Sequence, residues 1–239
     1  MSHLPQGNRR HINAAMYFLA PGGTVATLMA GWKRPFRTRP ETAMILPPAF
    51  YERDTVTVAK DLLGCLLVHR EDTTTMGWIV EVEAYLRGDP AAHSYRGETK
   101  RNSVMFGPPG HAYVYRIYGL HTCVNVVTGS KGAGEAVLVR ALEPAVGIEL
   151  MQVRRGMSDP VSLASGPGKL TQALGITMDL NGASLYDGPL QVRSPDSLPG
   201  RRPEGAEGEI VQTTRIGITK AADLPLRFYL KGSRYVSRR

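Results

Sequence analysis

Gly77-Trp78-Ile79-Val80-Glu81-Val82-Glu83-Ala84-Tyr85 is the stretch from which this chain is best read. Its β-branched and aromatic content marks a strand. Read with period 2, it places Trp78, Val80, Val82 and Ala84 on one face and Ile79, Glu81, Glu83 and Tyr85 on the other. The first face is a core face. The second carries two carboxylates about 6–7 Å apart between Cα atoms and ends in an aromatic. A cleft and a solvated outer face of an antiparallel sheet both produce this pattern, and both readings stand on the strand alone.

Working outward, 239 residues suffice for one large domain with a substantial core, and 42% apolar with 21% charged residues is an ordinary globular composition. Cys65 and Cys123 sit in apolar runs without a CxxC or a Cys/His cluster, so they read as reduced core thiols. The six histidines show no HExxH-like spacing, so no metal site is expected. The net charge of +8 is concentrated at the ends. Residues 1–43 hold six Lys/Arg against Glu41, and residues 225–239 hold five with no acid, leaving the middle slightly negative. A polyanion-binding surface in the middle must therefore be a local patch.

Residues 1–43 are expected to form a basic, disordered arm, or to be upstream sequence ahead of a start at Met44. The apolar run after Arg9-Arg10-His11 is broken by Pro21-Gly22-Gly23, which argues against a secretory leader, and no stretch reaches membrane-spanning length. A fold is expected from residue 44 to 239. Asp54 is the cap of a helix closed by Gly64; a strand follows over Cys65–His69, then the carboxylate strand. Residues 86–111 are a long Gly/Pro-rich connection of the kind that carries function. Ala112–Ile117 and Thr122–Val127 read as a hairpin joined by Tyr118-Gly119-Leu120-His121, and Ala136–Leu142 as another strand. Pro144 is expected to open a helix ending at Gly156, and Gly166-Pro167-Gly168-Lys169 a shorter one ending at Gly175. After a polar excursion over 193–208, two strands at about 209–218 and 226–231 complete the chain. The expected fold is mixed α/β of the α+β type: one domain, with a curved, mostly antiparallel sheet, surrounding helices and a protruding β-hairpin.

Several side chains stand out chemically. Gly166-Pro167-Gly168-Lys169 lacks the spacing of a phosphate loop, but a helix start with one lysine suits a nucleic-acid phosphate. Tyr113 and Tyr115 share a strand face, either as core or as a stacking wall. Asn125 and Arg140 lie among valines and leucines, where a polar group needs a partner; Glu81 or Glu83 is the natural partner for the arginine. His93 follows Glu83 by ten residues, within reach of folding back over it.

Together, Val80-Glu81-Val82-Glu83-Ala84-Tyr85-Leu86, Ala91-Ala92-His93-Ser94, Arg101-Asn102, Tyr113-Val114-Tyr115-Arg116-Ile117-Tyr118-Gly119, Asn125, Leu138-Val139-Arg140-Ala141-Leu142-Glu143-Pro144, Ser165-Gly166-Pro167 and Arg227-Phe228-Tyr229 closely resemble the alkyladenine (3-methyladenine) DNA glycosylase family. The resemblance spans residues 44–237 in order and omits 1–43. It implies a base-flipping, monofunctional glycosylase of base excision repair that hydrolyses the N-glycosidic bond of alkylated or deaminated purines and leaves an abasic site. It implies Glu83 as general base, with Arg140 and the backbone carbonyl of Ile216 holding the water. Tyr85, His93 and Tyr115 would surround the extruded base, Asn125 would gate against the amino group of guanine, and Tyr118 would be the wedge in the duplex. Arg101, Gly168 and Lys169 are the expected backbone contacts. The partner would be double-stranded DNA bound by a monomer, without cofactor, metal or membrane, in the cytoplasm or nucleoid. Two departures border the pocket and the DNA surface: His121 stands where the best-known family member has a tyrosine, and the loop from Tyr85 to His93 is one residue shorter. A non-catalytic binder of damaged nucleic acid is the competing class, and the coexistence of Glu83 with Arg140 argues against it.

Overall fold

A computed structural model describes residues 44–117, 119 and 121–237. The expectations for residues 1–43 and for the hairpin-tip side chains Tyr118 and Leu120 lie outside them. The described chain runs through helices α1 (Pro48–Tyr51) and α2 (Thr55–Leu62) into strands β1 (Leu66–His69) and β2 (Thr75–Tyr85). After the long connection come β3 (Ala112–Ile117), β4 (His121–Thr128) and β5 (Glu135–Val146), then α3 (Ile148–Arg155), α4 (Pro160–Leu163) and α5 (Pro167–Leu174). Strands β6 (Leu190–Arg193), β7 (Ile210–Thr213) and β8 (Arg227–Leu230) follow. All pairings are antiparallel, in the order β3-β4-β5-β2-β1-β6, with β8 joining β2 and β7. The fold is thus mixed α/β around one curled sheet.

Strand β2 is the axis. One edge pairs along its length with β5, while the other is shared: Thr75–Trp78 pair with β1 and Glu81–Glu83 with β8. A strand flanked on both edges and covered on both faces is buried from Gly77 to Ala84, and Glu81 and Glu83 are both 0% exposed. That removes the solvated-face reading. It also corrects the simple alternation. Ile79, Val82 and Ala84 belong to the main core, whereas Trp78 and Val80 pack on the opposite face with Leu66, Val68, Ala141 and Tyr235. The cause is a double irregularity in register: Ile79 faces Leu142, Glu81 faces Ala141 and Val82 faces Val139, so Val80 and Arg140 each lack a direct opposite. One extra residue reverses the side-chain parity of a strand beyond it. The carboxylates therefore continue the face of Trp78 and Val80, not that of Ile79.

Helix α2 forms where expected. Asp54 Oδ1 accepts from Thr57 N at 2.8 Å and from its hydroxyl at 2.9 Å, and Val58, Ala59 and Leu62 bury against the sheet. Helix α5 starts at Pro167 and packs on β4 and β5, with α3 beside it. Pro144 does not open a helix, as the sequence suggested, but lies within β5 opposite Gly77, beside a register slip at Met76/Gly77. A proline lacks the ladder donor and is tolerated at such an irregularity. Helix α3 begins only after Gly147, whose φ of 74° turns the chain and where a Cβ would meet Thr74 O at 2.7 Å. Strand β6 escaped the sequence reading because its Leu-Gln-Val-Arg alternation is short and both polar residues are buried by pairing with each other. The last two strands are shorter than expected, at four residues each.

Candidate active site

Four buried charges meet where β2, β5 and β8 lie side by side. The Arg140 Nε–H donates to Glu81 Oε1 at 3.1 Å, and Nη1 lies 3.1 Å from Glu83 Oε1. Arg227, which faces Glu83 in register, turns its Nε to Glu81 Oε1 at 2.8 Å. The C-terminal segment closes the cluster: Ser237 donates its backbone N–H to Glu81 Oε2 at 2.6 Å and its hydroxyl to Oε1 at 3.0 Å. Buried carboxylates are costly unless fully paired, and here Glu81 receives two guanidinium and two serine donors. Glu81 is thus the hub of a structural network. Burial opposes the Arg140 charge, but Glu83 and Glu81 together hold its pKa above the ordinary arginine value.

Glu83 is held differently. Besides Arg140, the backbone N–H of Ile216 donates to its Oε1 at 2.7 Å and the Tyr85 hydroxyl to its Oε2 at 2.9 Å. The sequence reading assigned the Ile216 carbonyl to water; the structure places the amide of the same residue on the carboxylate. Burial, then the neighbouring Glu83 charge, pushes the Tyr85 hydroxyl well above the tyrosine range, which suits its role as donor.

Arg140 carries this cluster to the wall of a cavity of about 310 Å³, at the lower end of the roughly 300–1,000 Å³ span of small-molecule sites, while Glu83 lies just behind the wall, bonded to the lining residues Tyr85, Arg140 and Ile216. Tyr85, His93, Tyr115, Asn125, Arg140 and Ile216 all line it. So do Tyr113, Cys123, Ile117, Leu138 and Ile218, which the sequence reading left out of the site. Tyr113 and Tyr115 stack with centroids 5.4 Å apart, and His93 stands edge-on to Tyr115 at 4.5 Å. The Tyr113 hydroxyl bonds to His93 Nδ1 at 3.0 Å. The signal for Tyr113 was its shared strand face with Tyr115. Asn125 is anchored by its side-chain N–H donating to Tyr113 O at 3.2 Å. Cys123, read as a core thiol, is buried but forms part of this wall.

His93 is exposed at the cavity mouth, but its ring is walled by tyrosines; that partial burial, then the Arg101 charge, lowers its pKa. The loop carrying it is organised by Asn102, whose amide donates to His93 O at 2.9 Å and Gly97 O at 3.0 Å while its Oδ1 accepts from Thr99 N at 2.6 Å. Arg101 is exposed and donates to Arg116 O at 3.3 Å. At the other rim, Pro167 lines the cavity and Lys169 is exposed in the first turn of α5. A Cβ on Gly168 would come within 3.1 Å of the His121 Cβ, so the small residue allows α5 to approach the hairpin. Tyr118 cannot be placed, because it lies outside the described residues. Among those residues no three His, Cys, Asp or Glu side chains form a metal-ligating group, and no helix is long and apolar enough to cross a membrane.

Comparison with known proteins identifies the family. Residues 49–234 match the family model described as Methylpurine-DNA glycosylase. A relative from Methanoculleus marisnigri is 84% identical over 196 residues, covering 82% of this chain and 100% of the relative. One from Carboxydothermus hydrogenoformans is 54% identical (82% and 100% covered), and one from Rhodopseudomonas palustris is 51% identical (84% and 92% covered). All three carry the curated name "Putative 3-methyladenine DNA glycosylase". With the match extending over the whole sheet and every wall of the cavity, the chain belongs to the methylpurine-DNA glycosylase family.

Proposed function

We propose that this chain is a monofunctional glycosylase that hydrolyses the N-glycosidic bond of alkylated or deaminated purines, of the 3-methyladenine, hypoxanthine and ethenoadenine class, and leaves an abasic site. The proposal sharpens what family membership carries, a DNA glycosylase acting on methylated purines in base excision repair. The observation that supports it most is a fully buried carboxylate, Glu83, held by a guanidinium, an amide and a phenol whose residues, Arg140, Ile216 and Tyr85, all line an aromatic cavity.

In this reading residues 44–239 are the catalytic domain, and 1–43 are a basic arm or upstream sequence ahead of a start at Met44. The target nucleotide is turned out of the duplex at a cost of a few kcal/mol. Stacking at about 1–3 kcal/mol per aromatic contact on Tyr85, His93 and Tyr115, with Tyr118 wedged into the vacated stack, offsets that cost. Asn125 rejects the amino group of normal guanine. Glu83 takes a proton from water as the water oxygen bonds to C1′ and the electron pair of the C1′–N bond leaves with the base. The negative carboxylate also favours the oxocarbenium-like transition state. The Ile216 peptide serves twice, its N–H aligning Glu83 and its carbonyl accepting from the water, while Arg140 fixes the carboxylate plane. Arg101, Gly168 and Lys169 bind backbone phosphates at the two rims. Among the described residues no lysine lines the cavity, which supports hydrolysis without strand scission. The protein acts as a monomer on duplex DNA.

Single-turnover release from duplexes containing 3-methyladenine, hypoxanthine or ethenoadenine, followed by alkali cleavage of the product, tests this. The expected result is base release with strand breaks only after alkali. Tight lesion binding without release would identify a non-catalytic binder, and scission before alkali would overturn the monofunctional reading.

A further inference from the structure

Behind the cavity lies an ion pair that the chemistry above does not use. The Arg215 guanidinium carbon is 4.7 Å from the centroid of the Tyr85 ring. Asp89 accepts from both of its terminal nitrogens, from Nη2 at 3.1 Å. The two side chains are 0% and 3% exposed. Nη1 also donates to Ala84 O at 3.1 Å and Nη2 to Ala221 O at 3.3 Å, while Nε is buried with no partner. Tyr85 lines the cavity, but Arg215 does not. A full positive charge is thus sealed behind one face of the pocket tyrosine, shielded by a single carboxylate and out of reach of solvent.

We propose that Asp89 is a specificity-determining residue. By cancelling the Arg215 charge behind Tyr85, it lets the pocket accept purines that carry a formal positive ring charge, such as those alkylated at N3 or N7. The inference rests on the proposed role of Tyr85 as a stacking wall for the extruded base. A purine on the free face of that ring lies roughly 8 Å from the guanidinium. Two unit charges at about 8 Å and an effective dielectric near 20 repel enough to change an equilibrium about thirtyfold. A neutral lesion such as hypoxanthine feels no comparable repulsion. The Arg215–Asp89 pair therefore combines a cation that supports Tyr85 with a counter-charge that hides it from a cationic substrate.

The test compares two duplexes on one enzyme preparation, one containing 7-methylguanine (cationic) and one hypoxanthine (neutral), with spontaneous depurination subtracted. The ratio of single-turnover rates is independent of the folded fraction. Asp89→Asn is expected to lower the cationic-to-neutral ratio at least tenfold, and Asp89→Asn with Arg215→Gln to return it to within about threefold of wild type. If Asp89→Asn does not fold, Arg215→Gln reads the same balance with the opposite sign, raising the ratio. An unchanged ratio in Asp89→Asn, or in Arg215→Gln where that variant is the one assayed, overturns the charge-balance proposal and leaves the glycosylase reading intact. Wild-type protein that releases neither base refutes the glycosylase reading itself.

Discussion

Arg140 donates its Nε–H to Glu81 at 3.1 Å, and that bond leaves its Nη1 facing Glu83. Its third nitrogen, Nη2, reaches the Ser237 hydroxyl at 3.3 Å. Every nitrogen of the guanidinium is engaged, so the arginine has little freedom to turn away from Glu83. The paired irregularities in β2 and β5 make this possible, because Val80 and Arg140 each fall outside the regular register. The two carboxylates consequently differ in kind: Glu81 is bonded to Arg140, Arg227 and Ser237, whereas the partners of Glu83, namely Arg140, Tyr85 and Ile216, all line the cavity.

Glu81→Gln removes a buried charge that faces Arg140 and Arg227 with almost no change in volume. Breaking one side of a buried, hydrogen-bonded charge cluster costs about 3–5 kcal/mol. Urea unfolding of the variant is expected to show a loss of that size, and a change below about 1 kcal/mol would count against Glu81 as the hub.

Glu83→Gln should leave the fold and lesion binding in place, because the amide oxygen still accepts from Ile216 and Arg140. Without a base, single-turnover excision is expected to fall about 10²–10⁴-fold. Polarisation measurements on a lesion duplex should show affinity close to wild type; full retained excision would refute the assignment.

Tyr85→Phe keeps the ring over Arg215 but deletes the hydroxyl that donates to Glu83 Oε2. A hydrogen bond to a charged group contributes about 1.5–3 kcal/mol. The excision rate should drop between about tenfold and a hundredfold while lesion affinity stays within about twofold. Equal losses in rate and affinity would mean that the hydroxyl serves stacking geometry instead of the carboxylate.

His93 should titrate below its ordinary value of 6.5, because partial burial and the Arg101 charge both disfavour imidazolium. Since its folded-state pKa is depressed, the unfolded chain takes up the proton first as pH falls. The group therefore subtracts stability progressively from about pH 6.5 down to its folded pKa, and has no effect well above that window. NMR titration of the His93 ring checks the midpoint. Arg101→Gln should raise it by removing one of the two causes, and an unmoved midpoint would show that Arg101 is too well screened to matter.

Asp54→Ala removes the cap of α2, where Oδ1 accepts two bonds from Thr57. A stability loss of about 0.5–2 kcal/mol is expected in chemical denaturation. Excision at saturating enzyme should be unchanged, since α2 packs on the sheet face that carries the main core, away from the carboxylates.

What the linear sequence determined was local: the capped start of α2, the strand character of β1 to β5, the helix start at Pro167, and the need of Arg140 for a carboxylate. Each rests on chemistry within a few residues or on the cost of burying an unpaired charge. What only the tertiary structure decided was which face those residues share. Period-2 alternation assumes an unbroken strand, and the register break at Val80 and Arg140 reverses parity in a way that only the partner strand defines. Glu81 and Glu83 therefore looked equivalent as residues two apart. They separate because β8 and the Ser237 segment close over the first, whereas the second is bonded to Ile216 and Tyr85, which line the cavity. The Arg215–Asp89 pair was equally invisible, since its residues lie 126 positions apart and meet only where two loops converge behind Tyr85.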